Sequence, residues 1–481
     1  MTKLPRKAEY IVVPVAQPQQ QHYQGYMQQP PPSPLSLHMP ITAAALATAA
    51  AAVPSTNAGR MMTGPVGKEV KRPASSLGAA VVDTADDICA GLEFKFLVPR
   101  HRAAVDGGST TAAAAAGGDQ QAIAQLHRDV YSDIAESIRE RGMKRAITIH
   151  KIQDEKRQER EYWQTHWIVK KANSAEPVEV DLRFADLLWV PLELCSPKLW
   201  WRDLTVPQTI RDVVRSVRFP HRATVNYTCD VHVHVGRNDG LPFTLLTFKR
   251  LATLLWLAEP VLRKVRDPRS PNYSNIYTWG AELRKHSRLA LNIAKGEDYN
   301  RSQQQQFLAG SSGSSQGDES VEWYLAAAWR RLGVDDADQH DALKAIWLTK
   351  STMELGRLLS GRERQYRRLG FNFSALGEED DRARTGPRTI EFRVLEGTLD
   401  ADLILAWVNV CCTLAETATS EQEARFVTVV KYLLGKAREM DANEGAALDG
   451  EFAELMRRLG VDEEMSEPLL AKVRSNYGCL E

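Results

Sequence analysis

Neither sign of charge is in surplus: Lys+Arg and Asp+Glu are equal at 61 each over 481 residues, so no overall field draws the chain to nucleic acid or to an anionic membrane. Paired cysteines are missing as well. The six present, Cys89, Cys195, Cys229, Cys411, Cys412 and Cys479, include no CxxC, so neither a structural zinc site nor a disulfide framework is indicated, and a reducing, cytoplasmic setting is expected. The one long apolar run, residues 41–53, is alanine-dominated and shorter than the ~20 residues that span a bilayer. It also lies too far from Lys3 and Lys7 to be the core of an ordinary signal peptide. No GxxxxGK[ST] loop occurs, which argues against a P-loop ATPase. Small-molecule or peptide partners are left as the expectation, with no nucleic acid and no membrane.

Residues 1–87 are rich in Gln, Pro, Ala and Ser and poor in acids, with glutamine at 19–21 and proline at 30–32. Such a stretch cannot bury enough apolar surface to offset chain entropy, so a disordered tail is expected, serving as spacer or docking segment. Arginine-bearing and acid-poor, it also has a distant likeness to an organellar presequence. Residues 88–481 are expected to form one α+β domain interrupted by mobile insertions at 103–120 and 302–319. Alternation places strands at 91–98 (ended by Pro99), 147–149, 163–169, 189–194, 227–236, 371–373 and 389–395. Apolar stripes place helices at 121–141, 243–265, 321–332, 341–359 and 400–417, with further amphipathic helix over 421–472. Another helix starts after Thr205, where Gln208 three residues on completes a capping box and Pro207 suits the first turn. Thr398 reads as the cap of the helix that follows Gly397.

Residues 227–236, YTCDVHVHVG, are the centre of the pattern. Val231, Val233 and Val235 share one face of a strand and His232 and His234 the other, so the valines enter a core and the imidazoles face something polar. Three other strands repeat the arrangement with Glu93 and Lys95, with Glu193, and with Glu391 and Arg393. Carboxylates, imidazoles and a guanidinium on neighbouring strands make a concave floor able to hold Mg²⁺ and the phosphates it bridges. Taken singly, each strand is equally a solvated face or a local ion pair such as Glu391 with Arg393.

The motifs GLEFKF at 91–96, LELCSP at 192–197, DVHVHVG at 230–236 and TIEFRVLEGTLD at 389–400 occur in the order seen in the amidoligase family common in filamentous fungi. The chain resembles that family over residues 91–417, most specifically in the last motif with Trp407 after it. The family is a branch of the carboxylate-amine ligases related to glutamine synthetase and glutamate-cysteine ligase. The resemblance implies an antiparallel sheet funnel of glutamine-synthetase-like type. It also implies ATP- and Mg²⁺-dependent amide or peptide bond formation through an acyl phosphate. Glu93, Glu193, His232 and Glu391 would be the Mg²⁺ ligands, His234 would face nucleotide phosphate or the intermediate, and Arg393 would stabilise the transferred phosphoryl group. Lys95 would add its charge beside the nucleotide.

Two positions depart from the family pattern. Lys95 stands where a second acid is usual, and Ala172 stands where an aspartate is usual, although Ser174 remains. A catalytically impaired relative that binds nucleotide or a protein partner is therefore the alternative expectation. A third reading is a zinc hydrolase built on His232 and His234, which needs a further ligand that neither His286 nor His340 supplies by any second signature. Cys195 has no base placed by sequence and is not read as a nucleophile.

Overall fold

The computed structural model describes residues 82–101, 115–142, 145–154, 159–178, 181, 183–184, 186–273, 280–295, 337–362, 368–377, 388–440 and 448–477, all within the unit Ser76–Glu481. The insertion 302–319, the helix 321–332 and residues 1–81 of the expected tail lie outside them. Residues 82–87, assigned above to the tail, pack against the domain. Asp83 is fully buried and accepts hydrogen bonds from Arg237 and from the backbone and hydroxyl of Thr244.

Eight strands form one sheet: β1 (Ile88–His101), β2 (Ala146–Thr148), β3 (Trp167–Lys171), β4 (Leu187–Cys195), β5 (Leu199–Trp200), β6 (Val231–Arg237), β7 (Phe371–Asn372) and β8 (Ile390–Phe392). Their order is β2-β3-β4-β1-β6-β8-β7, with β5 beside the start of β1. Every pair is antiparallel except β2 with β3, so the expected antiparallel sheet is in fact mixed. The cause is local: residues 149–165 contain helical turns between these strands, and a crossover of that kind returns the chain in the same direction.

β1 runs through Pro99, where the sequence predicted its end. The N–H groups of Lys95 and Leu97 point away from β4, to Asp230 and Thr224, so the nitrogen of Pro99 faces that same side, where pairing has already stopped. β6 begins at Val231 and not at residue 227, because Thr228 bonds the Asn226 side chain and the Cys229 N–H bonds the Asn226 carbonyl in a turn. The strand expected over 163–169 starts only at Trp167, with Trp163 on a helix instead.

Among the described residues the helices are α1 (Ala115–Glu140), α2 (Ile149–Asp154), α3 (Glu159–Thr165), α4 (Val206–Arg218), α5 (Leu245–Leu262), α6 (Leu283–His286), α7 (Arg288–Ala294), α8 (Ala337–Leu348), α9 (Thr352–Leu358), α10 (Ser374–Gly377), α11 (Ala401–Ala418), α12 (Glu423–Met440), α13 (Leu448–Leu459) and α14 (Glu463–Tyr477). α1 starts within the segment expected as a mobile loop, and the span 421–472 is three helices. The helix expected over 341–359 breaks into α8 and α9, because the Ser351 hydroxyl caps α9 through the Glu354 N–H and the Glu354 carboxylate accepts from the Lys350 N–H. The capping box expected at Thr205 does not form: Asp203 takes both the N–H and the hydroxyl of Thr205, and Gln208 turns to Asp212. Asp400, not Thr398, caps α11.

One large core joins the helices to the sheet. It takes Leu92, Phe94 and Phe96 of β1, Leu192 and Leu194 of β4, all three valines of β6, and Ile390 and Phe392 of β8. α11 packs on β1 and β6. It is long and apolar enough to cross a membrane, yet most of it is buried inside this domain. Among the described residues the opposite face of the sheet carries two small apolar clusters, around Leu97 with Cys229 and around Ile168 with Cys195, beside the polar floor.

Candidate functional site

Residues of like parity on paired strands share a face, so register decides which side chains meet. On the face away from the large core, Glu93 lies between Cys195 of β4 and His232 of β6, and Lys95 lies opposite Glu193. Glu391 lies between His234 of β6 and Asn372 of β7. Glu193 is flanked again on its far side by Lys170 of β3. All seven residues expected at the site are therefore brought together: Glu93, Lys95, Glu193, His232, His234, Glu391 and Arg393.

One group of metal-competent donors is Glu93, His232 and Glu391, whose donor atoms lie within 4.8 Å of one another. Nδ1 of His232 stands 3.1 Å from Oε1 of Glu391 and 3.5 Å from Oε2 of Glu93. Oε2 of Glu391 accepts from the Asn372 amide at 2.6 Å, and its Oε1 accepts from Arg393. His234 is half-buried at the mouth. Its Nε2 is 3.5 Å from Glu93 and 3.8 Å from Glu391, and its Nδ1 is 3.2 Å from the Thr389 hydroxyl. A second group, Glu93, Glu193 and Cys195, adjoins the first and shares Glu93 with it. Beyond His232, buried Asp230 lies 4.0 Å from Lys95, 3.9 Å from Arg266 and 3.9 Å from Nε2 of His232.

Burial alone would raise both central carboxyls, but their neighbours outweigh it. His234 and the hydrogen bonds from both histidines hold Glu93 well below the usual carboxylate range, and Arg393 with His234 does the same for Glu391. Burial, then the charges of Arg393 and Lys95, push His232 down, so its imidazole is neutral. For His234 burial also works downward, but Glu391 and Glu93 prevail and raise it. Burial and the like charge of Glu93 push Glu193 up to about 7, against the pull of Lys170 and Lys95. Burial, with Glu93 adding to it, raises the Cys195 thiol, which agrees with its not being a nucleophile.

Two ionised carboxylates and one neutral imidazole converging within 4.8 Å form a donor set that fits a divalent cation such as Mg²⁺ or Mn²⁺. His234 competes for the same carboxylates while protonated. Cation affinity is therefore expected to climb by up to about tenfold per pH unit until the raised His234 pKa is passed, and to level off above it. Mn²⁺ titrations between pH 6 and 8 check this, and His234→Gln should remove the dependence.

Lys170, Asp230, Asn372 and Thr389 were not singled out from sequence. Lys170 has the parity of Ile168, opposite to the core residues Trp167 and Val169, and that alternation was its available signal. Asn372, between Phe371 and Phe373, and Asp230, two residues before His232, carried the same alternation, but their partners follow only from the pairing of β7 with β8 and the approach of Arg266. Among the described residues, no group of metal-competent donors holds His232 and His234 together, so nothing in the site adds to the zinc hydrolase reading. In comparisons with known proteins, no family model, no curated protein and no solved structure matches this chain.

Proposed function

We propose that the chain is an ATP- and Mg²⁺-dependent carboxylate-amine ligase of glutamine-synthetase-like type, acting on small-molecule or peptide substrates through an acyl phosphate. The observation that supports it is the convergence of Glu93, His232 and Glu391, with His234 half-exposed beside them. Mg²⁺, when bound, would neutralise ATP phosphate oxygens and so ease transfer of the γ-phosphoryl group to a carboxylate. Glu93, His232 and Glu391 would hold the cation, with Glu193 beside Glu93 in the adjoining group. His234, beside Glu93 and Glu391, would offer a ring N–H to a phosphoryl oxygen. Arg393 keeps Glu391 ionised and oriented, and its guanidinium is the fixed cation assigned to the transferred phosphoryl group. Lys95, opposite Glu193 on the same face, adds positive potential. The amine then attacks the acyl carbon, and phosphate leaves with the electrons of the broken C–O bond.

One observation favours the impaired alternative. Lys95, Lys170, Arg266 and Arg393 already match Glu93, Glu193, Asp230 and Glu391 in charge, which weakens the pull on a further cation. Calorimetric titration of a non-hydrolysable ATP analogue with and without Mg²⁺ tests the ligase reading. Mg²⁺-dependent binding is expected, and well-folded protein that binds no nucleotide at any Mg²⁺ concentration sinks it. Binding without ADP release across carboxylate and amine pairs would select the non-catalytic relative.

A further inference from the structure

The two donor groups share Glu93 but differ in what already faces them. In the Glu93, Glu193 and Cys195 cleft, Nζ of Lys170 lies 3.1 Å from Oε1 of Glu193, inside the range of a charge-assisted hydrogen bond. The same ammonium sits 5.1 Å from the centre of the Trp163 ring, so an aromatic face of α3 holds it from a second direction. Register secures the placement, since Lys170 and Glu193 are direct cross-strand partners, and Lys95 closes Glu193 from the other neighbouring strand. The thiol of Cys195, 3.8 Å from the same Glu193 oxygen, completes a three-donor cleft around a fixed positive charge. The Glu93, His232 and Glu391 group meets Arg393 at its Glu391 edge, and Nε2 of His234 stands farther off, 3.5 Å from Glu93 and 3.8 Å from Glu391.

We propose that Lys170 is a built-in counter-ion that fills the second of these adjoining clefts, so that the site takes up one divalent cation where its carboxylates and thiol would otherwise hold two. The inference rests on reading Glu93, His232 and Glu391 as the cation site of the proposed ligase. A divalent ion entering the second cleft would meet the ammonium of Lys170 at contact distance while sharing Glu93 with the first ion. Repulsion from both sides excludes it.

The test compares full-length wild type with Lys170→Met by Mn²⁺ stoichiometry and by Cd²⁺ titration, since thiolate ligation of Cd²⁺ gives an ultraviolet charge-transfer band. Wild type is expected to take one ion without a band that depends on Cys195. Lys170→Met should take one ion more and show the band, and adding Cys195→Ser should remove it. Lys170→Arg, which keeps the charge, should behave as wild type, and Lys170→Gln serves if the methionine variant does not fold. A folded neutral variant that gains no ion, or a wild type that already shows the Cys195 band, overturns the proposal. Wild type that binds no Mg²⁺-dependent nucleotide would sink the ligase reading instead, while the gain of one ion in the variant stays readable.

Discussion

Glu391→Gln is expected to weaken divalent-cation binding by more than about 100-fold and to abolish Mg²⁺-dependent nucleotide binding with it. That exceeds the ~10–100-fold typical of losing a residue one step removed from the metal, because Glu391 is itself a donor. Its two oxygens meet His232, Arg393 and Asn372, whereas an amide offers a single acceptor and no charge. The same change leaves the guanidinium of Arg393, 2 % exposed, without its carboxylate, and breaking a buried pair costs about 3–5 kcal/mol. Urea unfolding read beside calorimetry separates the two effects. Glu391→Asp supplies the control: it keeps the charge, so it should retain most of the stability while still binding the cation poorly. Unchanged Mn²⁺ affinity in folded Glu391→Gln would remove this residue from the cation site.

Asp83→Ala is expected to destabilise the domain by about 3–5 kcal/mol without touching the site. Asp83 has no exposed surface, and its carboxylate receives Arg237 at the end of β6 together with the N–H and hydroxyl of Thr244, the cap of α5. Alanine leaves the largely buried Arg237 with Asp239 alone and strips the Thr244 backbone of its partner. Asp83→Asn keeps an acceptor and should lose less. A fall of under about 1 kcal/mol for the alanine variant in urea unfolding would show that the segment before β1 does not clamp β6 to α5.

Much of this architecture was legible because its causes are local. The valine and histidine alternation of β6 and the Glu93/Lys95 alternation of β1 place the same residues on the same faces that the structure shows. The stripes of α1, α4 and α11 bury largely as their spacing predicts: Val130, Ile134 and Ile138 with Leu126 half-buried at the near end; Ile210, Val213, Val214 and Val217; and Trp407, Cys411 and Leu414 with Leu403 half-buried. Gly142 stops α1 with φ at 88°. Some misreadings were local too. The Ser351 to Glu354 spacing was a capping signal overlooked, and Asp203 outcompeted Gln208 for Thr205 because a carboxylate two residues away reaches both donors at once.

By itself, then, the sequence determined which face of each strand is polar and which stripe of each helix is buried, because periods of two and 3.6 are properties of a short stretch of chain. The tertiary structure alone decided that β2 runs parallel to β3, that Asn372 supports Glu391, that Asp230 meets Lys95 and Arg266 beside His232, and that Lys170 occupies the cleft beside Glu93. Each of these depends on strand order and register across tens to hundreds of residues. Register is set by the packing of the whole core, and a one-residue slip would send every one of these side chains to the other face.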